Sequence, residues 1–204
     1  MIKMIPGLLL TLLSCGQVLS QTDSTWLQEI QAFRDEMNHD FQDSLHSPLT
    51  DEARDSFSGL AFFPPDPKFR VTAKWRHTPG EEPFKMKTTT DRLPEYVKYG
   101  EVEFSLEGRS IKLSVYRNLD LMKRDGFEDY LFLPFFDRSN GYESYGGGRY
   151  LDLRIPKSDS LILDFNKAYN PYCAYNHLYS CPIPPPENTL PVKITAGVMA
   201  PGKH

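Results

Sequence analysis

The chain has 204 residues, a hydrophobic fraction of 40% and a formal charge of -4. That length supports a single domain with a real core, and the absence of any Lys/Arg run interleaved with aromatics excludes a nucleic-acid surface. Seventeen prolines, thirteen phenylalanines and eleven tyrosines favour strands and fixed turns over a helical bundle.

Residues 1–20 read as a signal peptide. Lys3 precedes an apolar run from Gly7 to Leu13 that is far shorter than the ~20 residues a membrane span needs. Two cleavage points compete. Leu12-Leu13-Ser14-Cys15 resembles a lipobox, whose use would acylate Cys15 and tie the mature chain to the membrane by a lipid anchor. Val18-Leu19-Ser20 before Gln21 suits ordinary cleavage and release into the periplasm or medium. Either way the protein is expected to be exported with two cysteines left. Gln21 to Ser24 is then a short tether, and residues 25–204 form the folded domain.

From Thr25 the spacing of Trp26, Ile30, Phe33, Met37 and Phe41 predicts an amphipathic helix that packs onto a sheet, with Thr25 and Gln28 as its capping box. Ser47-Pro48 and Thr50 predict a second short helix through Arg54. Strands begin after Phe57. Phe69, Val71, Ala73 and Trp75 alternate with basic and polar residues, Thr78-Pro79-Gly80-Glu81 reads as a turn, and Phe84 and Met86 alternate on the return. Lys68 to Thr90 is therefore expected to be a hairpin with a basic outer face. Val102-Phe104-Leu106 and Ile111-Leu113-Val115 form a second hairpin across Glu107-Gly108. Leu131 to Phe136 is apolar on both faces and reads as a buried strand, followed by the tight-turn signal Ser139-Asn140-Gly141. Four prolines from Pro182 to Pro186 force an extended path, and Leu190, Val192 and Ile194 alternate as a final strand. The fold class is mainly β: an open barrel or two-sheet sandwich of about eight antiparallel strands carrying an N-terminal helix.

Four stretches are unusual enough to carry a resemblance. Phe135–Gly141, Tyr145–Leu153, Leu163–Asn176 and Cys181–Asn188, with the upstream FKMKTTT and YGEVEFSLEG, are similar to the bacterial family known as domain of unknown function 1684. The likeness spans roughly Thr25 to Gly197. It implies no activity, since that family is uncharacterised. Ser144 stands where relatives often carry Thr, and Ala196-Gly197-Val198-Met199 replaces an A-G-E-K ending, so no role passes to a terminal acidic residue.

The same stretches hold the candidate site. Gly146, Gly147 and Gly148 in a row require either a sharp sheet corner or a backbone surface against which a ligand lies. They match neither G-x-G-x-x-G nor a P-loop, and no cofactor is expected. Asp137, Glu143, Arg149, Asp164 and Glu187 lie among aromatics, where charges must pair internally or line a wet pocket. A pocket built from them with Asn166 and Asn188 would bind a small polar or anionic ligand, Arg149 supplying its planar fork of donors. Cys173 and Cys181 enclose a short loop and are most simply read as one disulfide, contributing about 2–3 kcal/mol. His177 between them could complete three metal ligands, but a fourth is missing and prolines oppose the helix such spacing needs, so no metal site is expected. Three functions follow from these residues. The first is an envelope protein that binds a small ligand; the second is a glycan hydrolase using two of the carboxylates; the third is a structural lipoprotein without a small-molecule site.

Overall fold

The structure, a computed structural model, describes residues 15–202, with side chains from residue 24 onward. Most of the expected signal segment, the side chain of Cys15 and residue 204 lie outside the described residues. Helix α1 runs Cys15–Gln42 and α2 runs Asp51–Asp55. The strands are β1 (Arg70–His77), β2 (Phe84–Lys85), β3 (Glu95–Leu106), β4 (Arg109–Asn118), β5 (Tyr130–Phe135), β6 (Arg149–Arg154) and β7 (Ser160–Asp164).

All seven strands belong to one sheet, ordered β6-β5-β4-β3-β1-β7 with β2 also on β3, and every pairing is antiparallel. The sheet curls into a half-barrel, so the open barrel forms and the two-sheet sandwich does not. Its concave face holds the main core, in which Val102, Phe104, Leu113, Val115, Leu131 and Leu133 are buried. Alternation decides the faces. On β5, Leu131, Leu133 and Phe135 enter that core, while Phe132 joins Tyr96, Tyr116 and Tyr150 in a second, aromatic cluster. The strand expected to be apolar on both faces is so because each face meets its own cluster.

The β3–β4 hairpin forms as expected across Glu107 and Gly108, which have φ of 52° and 72°. The Lys68–Thr90 hairpin does not form. β1 pairs β3 from Gly100 to Glu103, while β2 pairs β3 at Glu95 and Tyr96, so β1 and β2 lie end to end along one long strand. Between those two segments β3 shifts register at Lys98/Gly100, where the Trp75 ring sits so close that a Cβ on Gly100 would be 2.2 Å from it. The basic face of β1 meets an acid: Arg76, Lys98 and Lys112 all pair with Glu101.

Helix α1 differs from expectation at its start. Residues 21–24 are helical rather than a tether, and Thr25 is not an N-cap, because nothing between Gln17 and Gln42 breaks the helix. Trp26, Ile30 and Phe41 are buried as the stripe predicts, while Phe33 and Met37 are half-buried. Thr50 caps α2 by accepting from the Ala53 backbone N–H.

The last forty residues are nearly free of regular structure. Leu190, Val192, Ile194, Ala196 and Val198 are buried alternately, but they form no strand. Their backbone groups meet scattered partners instead: the Leu190 and Val198 N–H groups donate to the carbonyls of Phe136 and Ala168, each at 2.8 Å, and the Ile194 N–H donates to Asp137 Oδ1. Asn188, fully buried, accepts from the Ser114 N–H at 2.8 Å and donates to the carbonyls of Ser114 at 2.8 Å and Pro134 at 2.7 Å. Asn188→Ala would leave three backbone groups buried without partners, and is expected to cost about 2–4 kcal/mol, read as a lower urea midpoint at unchanged m-value.

Candidate functional site

The residues predicted as a ligand pocket are all well placed, but each is committed to the protein itself. Arg149 opens β6 with 0% of its surface exposed. Its Nη2 donates to Asp137 Oδ2 at 2.9 Å and to the Ile194 carbonyl at 2.6 Å, and its Nη1 donates to the Ala196 carbonyl at 2.5 Å. Burial pulls the guanidinium below its ordinary pKa, with the Asp137 carboxylate opposing that shift. The other Asp137 oxygen accepts from the backbone N–H groups of Ser139 at 2.7 Å and Ile194 at 3.1 Å. No lone pair faces solvent, so this is the internal ion pair and not an anion site.

The remaining acids are dispersed. Glu143 pairs with Lys193 on the surface, and that hydrogen bond holds its carboxyl below the ordinary range. Asp164 accepts from Trp26 Nε1 at 2.7 Å and from Asn166 Nδ2 at 2.9 Å, which fixes α1 to the end of β7. Asn166 also exchanges hydrogen bonds with the backbone of Asp66. Glu187 accepts from the Tyr116 hydroxyl at 2.7 Å. The expected convergence of these charges with Asn188 on one concavity therefore does not occur.

The glycine triplet resolves into packing. A Cβ on Gly147 would lie 2.4 Å from the Tyr145 ring, and one on Gly148, at φ +86°, would lie 2.7 Å from Pro184 and 2.8 Å from the Phe135 carbonyl oxygen. Gly146 has only ordinary contacts. The sharp corner is the correct reading, and it lets Tyr145 fold back over its own turn.

A different cavity, of about 560 Å³, lies between α1 and the outer face of the sheet. Tyr96, Tyr130, Phe132, Tyr150 and Asp152 line it from the strands. The segment 169–182 adds Tyr169, Tyr172, Tyr179 and Cys181, and α1 closes the other side with Phe33, Glu36, Met37 and Asp40. Residue alternation on β6 explains how Asp152 comes to be there: Leu151 enters the core, whereas Tyr150 and Asp152 point outward, Asp152 opposite Phe132. The segment after β7 extends the sheet, since Tyr169 and Tyr150 exchange backbone hydrogen bonds at 2.9 and 3.1 Å.

Asp152 is the polar centre of this cleft. The hydroxyls of Tyr130 and Tyr169 both donate to its Oδ1, at 2.7 and 2.6 Å. Its surface opens to the cleft, yet the surrounding protein desolvates the carboxyl and raises its pKa, against the two hydroxyl donors and the charge of Arg154. Arg154 is itself turned to Asp129, at 2.6 Å. The same desolvation raises Tyr130 and Tyr169, so both remain protonated donors. Among the described residues no Lys, Arg or His lines the cavity. Sequence reasoning passed over Asp152 although it stands inside the quoted Tyr145–Leu153 stretch; its alternation with Leu151 and Leu153 was the available signal.

Cys173 and Cys181 are brought together as free thiols rather than the expected cystine. The Cys173 backbone N–H donates to Cys181 Sγ at 3.2 Å, and the Tyr145 hydroxyl lies 3.9 Å from Cys173 Sγ.

The fold is thus an open antiparallel half-barrel with a helix laid across an aromatic cleft. The chain belongs to the family described as "Protein of unknown function (DUF1684)", whose profile matches residues 55–199. It is also similar to the solution NMR structure of an uncharacterized protein from Haloarcula marismortui, with 37% identity and a TM-score of 0.68, over 88% of this chain and 96% of that one. No curated protein matches.

The two kinds of acid should respond differently to mutation. Arg149→Met strands the Asp137 carboxylate in the core and is expected to cost about 3–5 kcal/mol. Glu143→Gln should leave the urea midpoint within error of the parent, because that pair is solvated.

Proposed function

We propose that the protein binds a small organic molecule in the cleft around Asp152. The observation that carries this reading is a carboxylate open to the cleft, whose Oδ1 is held by two tyrosine hydroxyls within a cavity of aromatic rings that offers no cation. Such a site favours a ligand with N–H or O–H donors on an otherwise apolar or sugar-like body, the rings stacking on its faces and Asp152 accepting from its polar edge. An anionic ligand fits poorly, since Glu36, Asp40 and Asp152 would repel it. The hydrolase reading loses its named carboxylates, each of which already has a protein partner.

The setting we propose is the one the leader implies: export, with Cys15 acylated as a membrane anchor or removed with the signal peptide. In an oxidising compartment Cys173 and Cys181 close as a disulfide beside the cleft. The structural lipoprotein remains the alternative where no ligand is found.

Isothermal calorimetry against a panel of organic amines, monosaccharides and carboxylates tests the ligand class. Amines or sugars are expected to bind and carboxylates not to. Asp152→Asn keeps a carbonyl for the two tyrosine donors, so it should fold normally while losing at least about tenfold in affinity, the equivalent of 1.4 kcal/mol. For an amine, affinity should fall as the pH drops through the raised pKa of Asp152, because protonation removes the charge the ligand meets; Asp152→Asn should abolish that dependence. Equal affinity in parent and variant would sink the assignment.

A further inference from the structure

The Cys173–Cys181 pair lies where the unusual stretches of the chain meet. Cys181 is held to the segment after β2: its backbone N–H donates to Thr89 Oγ1 at 3.1 Å, and its carbonyl accepts from the Thr89 N–H at 2.9 Å. Cys173 stands on a separate 3-10 turn, Tyr172–Ala174, closed by the Ala174 N–H to the Pro171 carbonyl at 2.9 Å. The Tyr145 ring, accommodated by the absence of a side chain on Gly147, brings its hydroxyl to Cys173 from a third direction. Two thiols carried by independent elements and pressed together without a bond form a dithiol, and their exposures differ. Cys173 is half-exposed, whereas Cys181 is 7% exposed and forms part of the cleft wall.

We propose that Cys173 and Cys181 form a reversible thiol–disulfide couple, with Cys173 as the attacking sulfur and Cys181 as the resolving one. The reaction partner is an external disulfide. The Cys173 thiolate attacks one sulfur of that disulfide, forming a mixed disulfide and expelling one partner thiolate. Cys181 then loses its proton to solvent and attacks Cys173 Sγ, which breaks the mixed disulfide and expels the second partner thiolate. The Cys173–Cys181 bond is left, and two electrons have passed to the partner. The surroundings favour this order. The Cys181 thiol donates to Cys173 and lowers its pKa, with Tyr145 adding to the effect, whereas Cys181 is raised by its neighbour and by burial. Because Cys181 and its neighbours Tyr179 and Ser180 line the cleft, the redox state of the pair also sets how firmly that wall is held.

This inference is independent of the ligand proposed above but shares its cystine, and the test separates the two. The full chain carrying Cys15→Ser is equilibrated in mixtures of oxidised and reduced glutathione, quenched with a maleimide and mapped by mass spectrometry. The expected result is complete interconversion between two free thiols and one Cys173–Cys181 bond, with circular dichroism unchanged. Cys181→Ser should accumulate a single glutathione adduct on Cys173, and Cys173→Ser should react at least about tenfold more slowly, as a buried thiol does. Sub-stoichiometric maleimide on the parent protein should label Cys173 before Cys181, a readout that needs no variant to fold. A bond that resists reduction until the protein is denatured would overturn the couple while leaving a structural cystine. Failure of any bond to form would overturn both, and preferential labelling of Cys181 would overturn the assigned order.

Discussion

One buried guanidinium holds the chain at residues 194–198 to the sheet. Arg149 reaches the carbonyls of Ile194 and Ala196, with Val198 more distant at 3.3 Å, while its charge is met by Asp137 from the end of β5. A planar fork is needed for this, since a lysine ammonium could not span a carboxylate and successive carbonyls from one fixed position. The desolvation of the pair is tolerated because nearly every donor and acceptor is used; among the described residues only Arg149 Nε lacks a partner in that cluster.

The same device recurs along the irregular tail. Asn188 ties it to β4 and β5, and Asn166 ties β7 to the loop before β1. Asn170 Nδ2 donates to the Met199 carbonyl at 2.8 Å and to the Tyr175 hydroxyl at 3.0 Å. A chain with prolines at 182, 184, 185 and 186 cannot donate a continuous ladder, so buried amides take the place of strand neighbours. These residues look like a polar site in sequence because the same groups that recognise a ligand also recognise backbone.

That ambiguity explains what was legible in the sequence and what was not. Strands β3, β4 and β5 and the stripe of α1 follow from local periodicity, which the fold respects. The pairing of β1 and β2 with the same partner does not, because register depends on the length of β3 and on the shift at Gly100, neither of which is local. Family membership followed from the long motif stretches. The cleft did not, since it joins α1 to β6 and the 169–182 segment, and no spacing rule links those three.

Asp137 and Asp152 make the final contrast. Both are carboxylates at the β5–β6 hairpin. Asp137 receives a guanidinium and two backbone N–H groups and has nothing left to offer. Asp152 receives two neutral hydroxyls on one oxygen, while the Arg154 guanidinium is drawn away to Asp129. Asp152 is open to the cleft and has protein donors on Oδ1, which leaves its other oxygen for a donor from outside, whereas both oxygens of Asp137 are used within the core. The open carboxylate, rather than the one buried most deeply, is the one that the proposed ligand would meet.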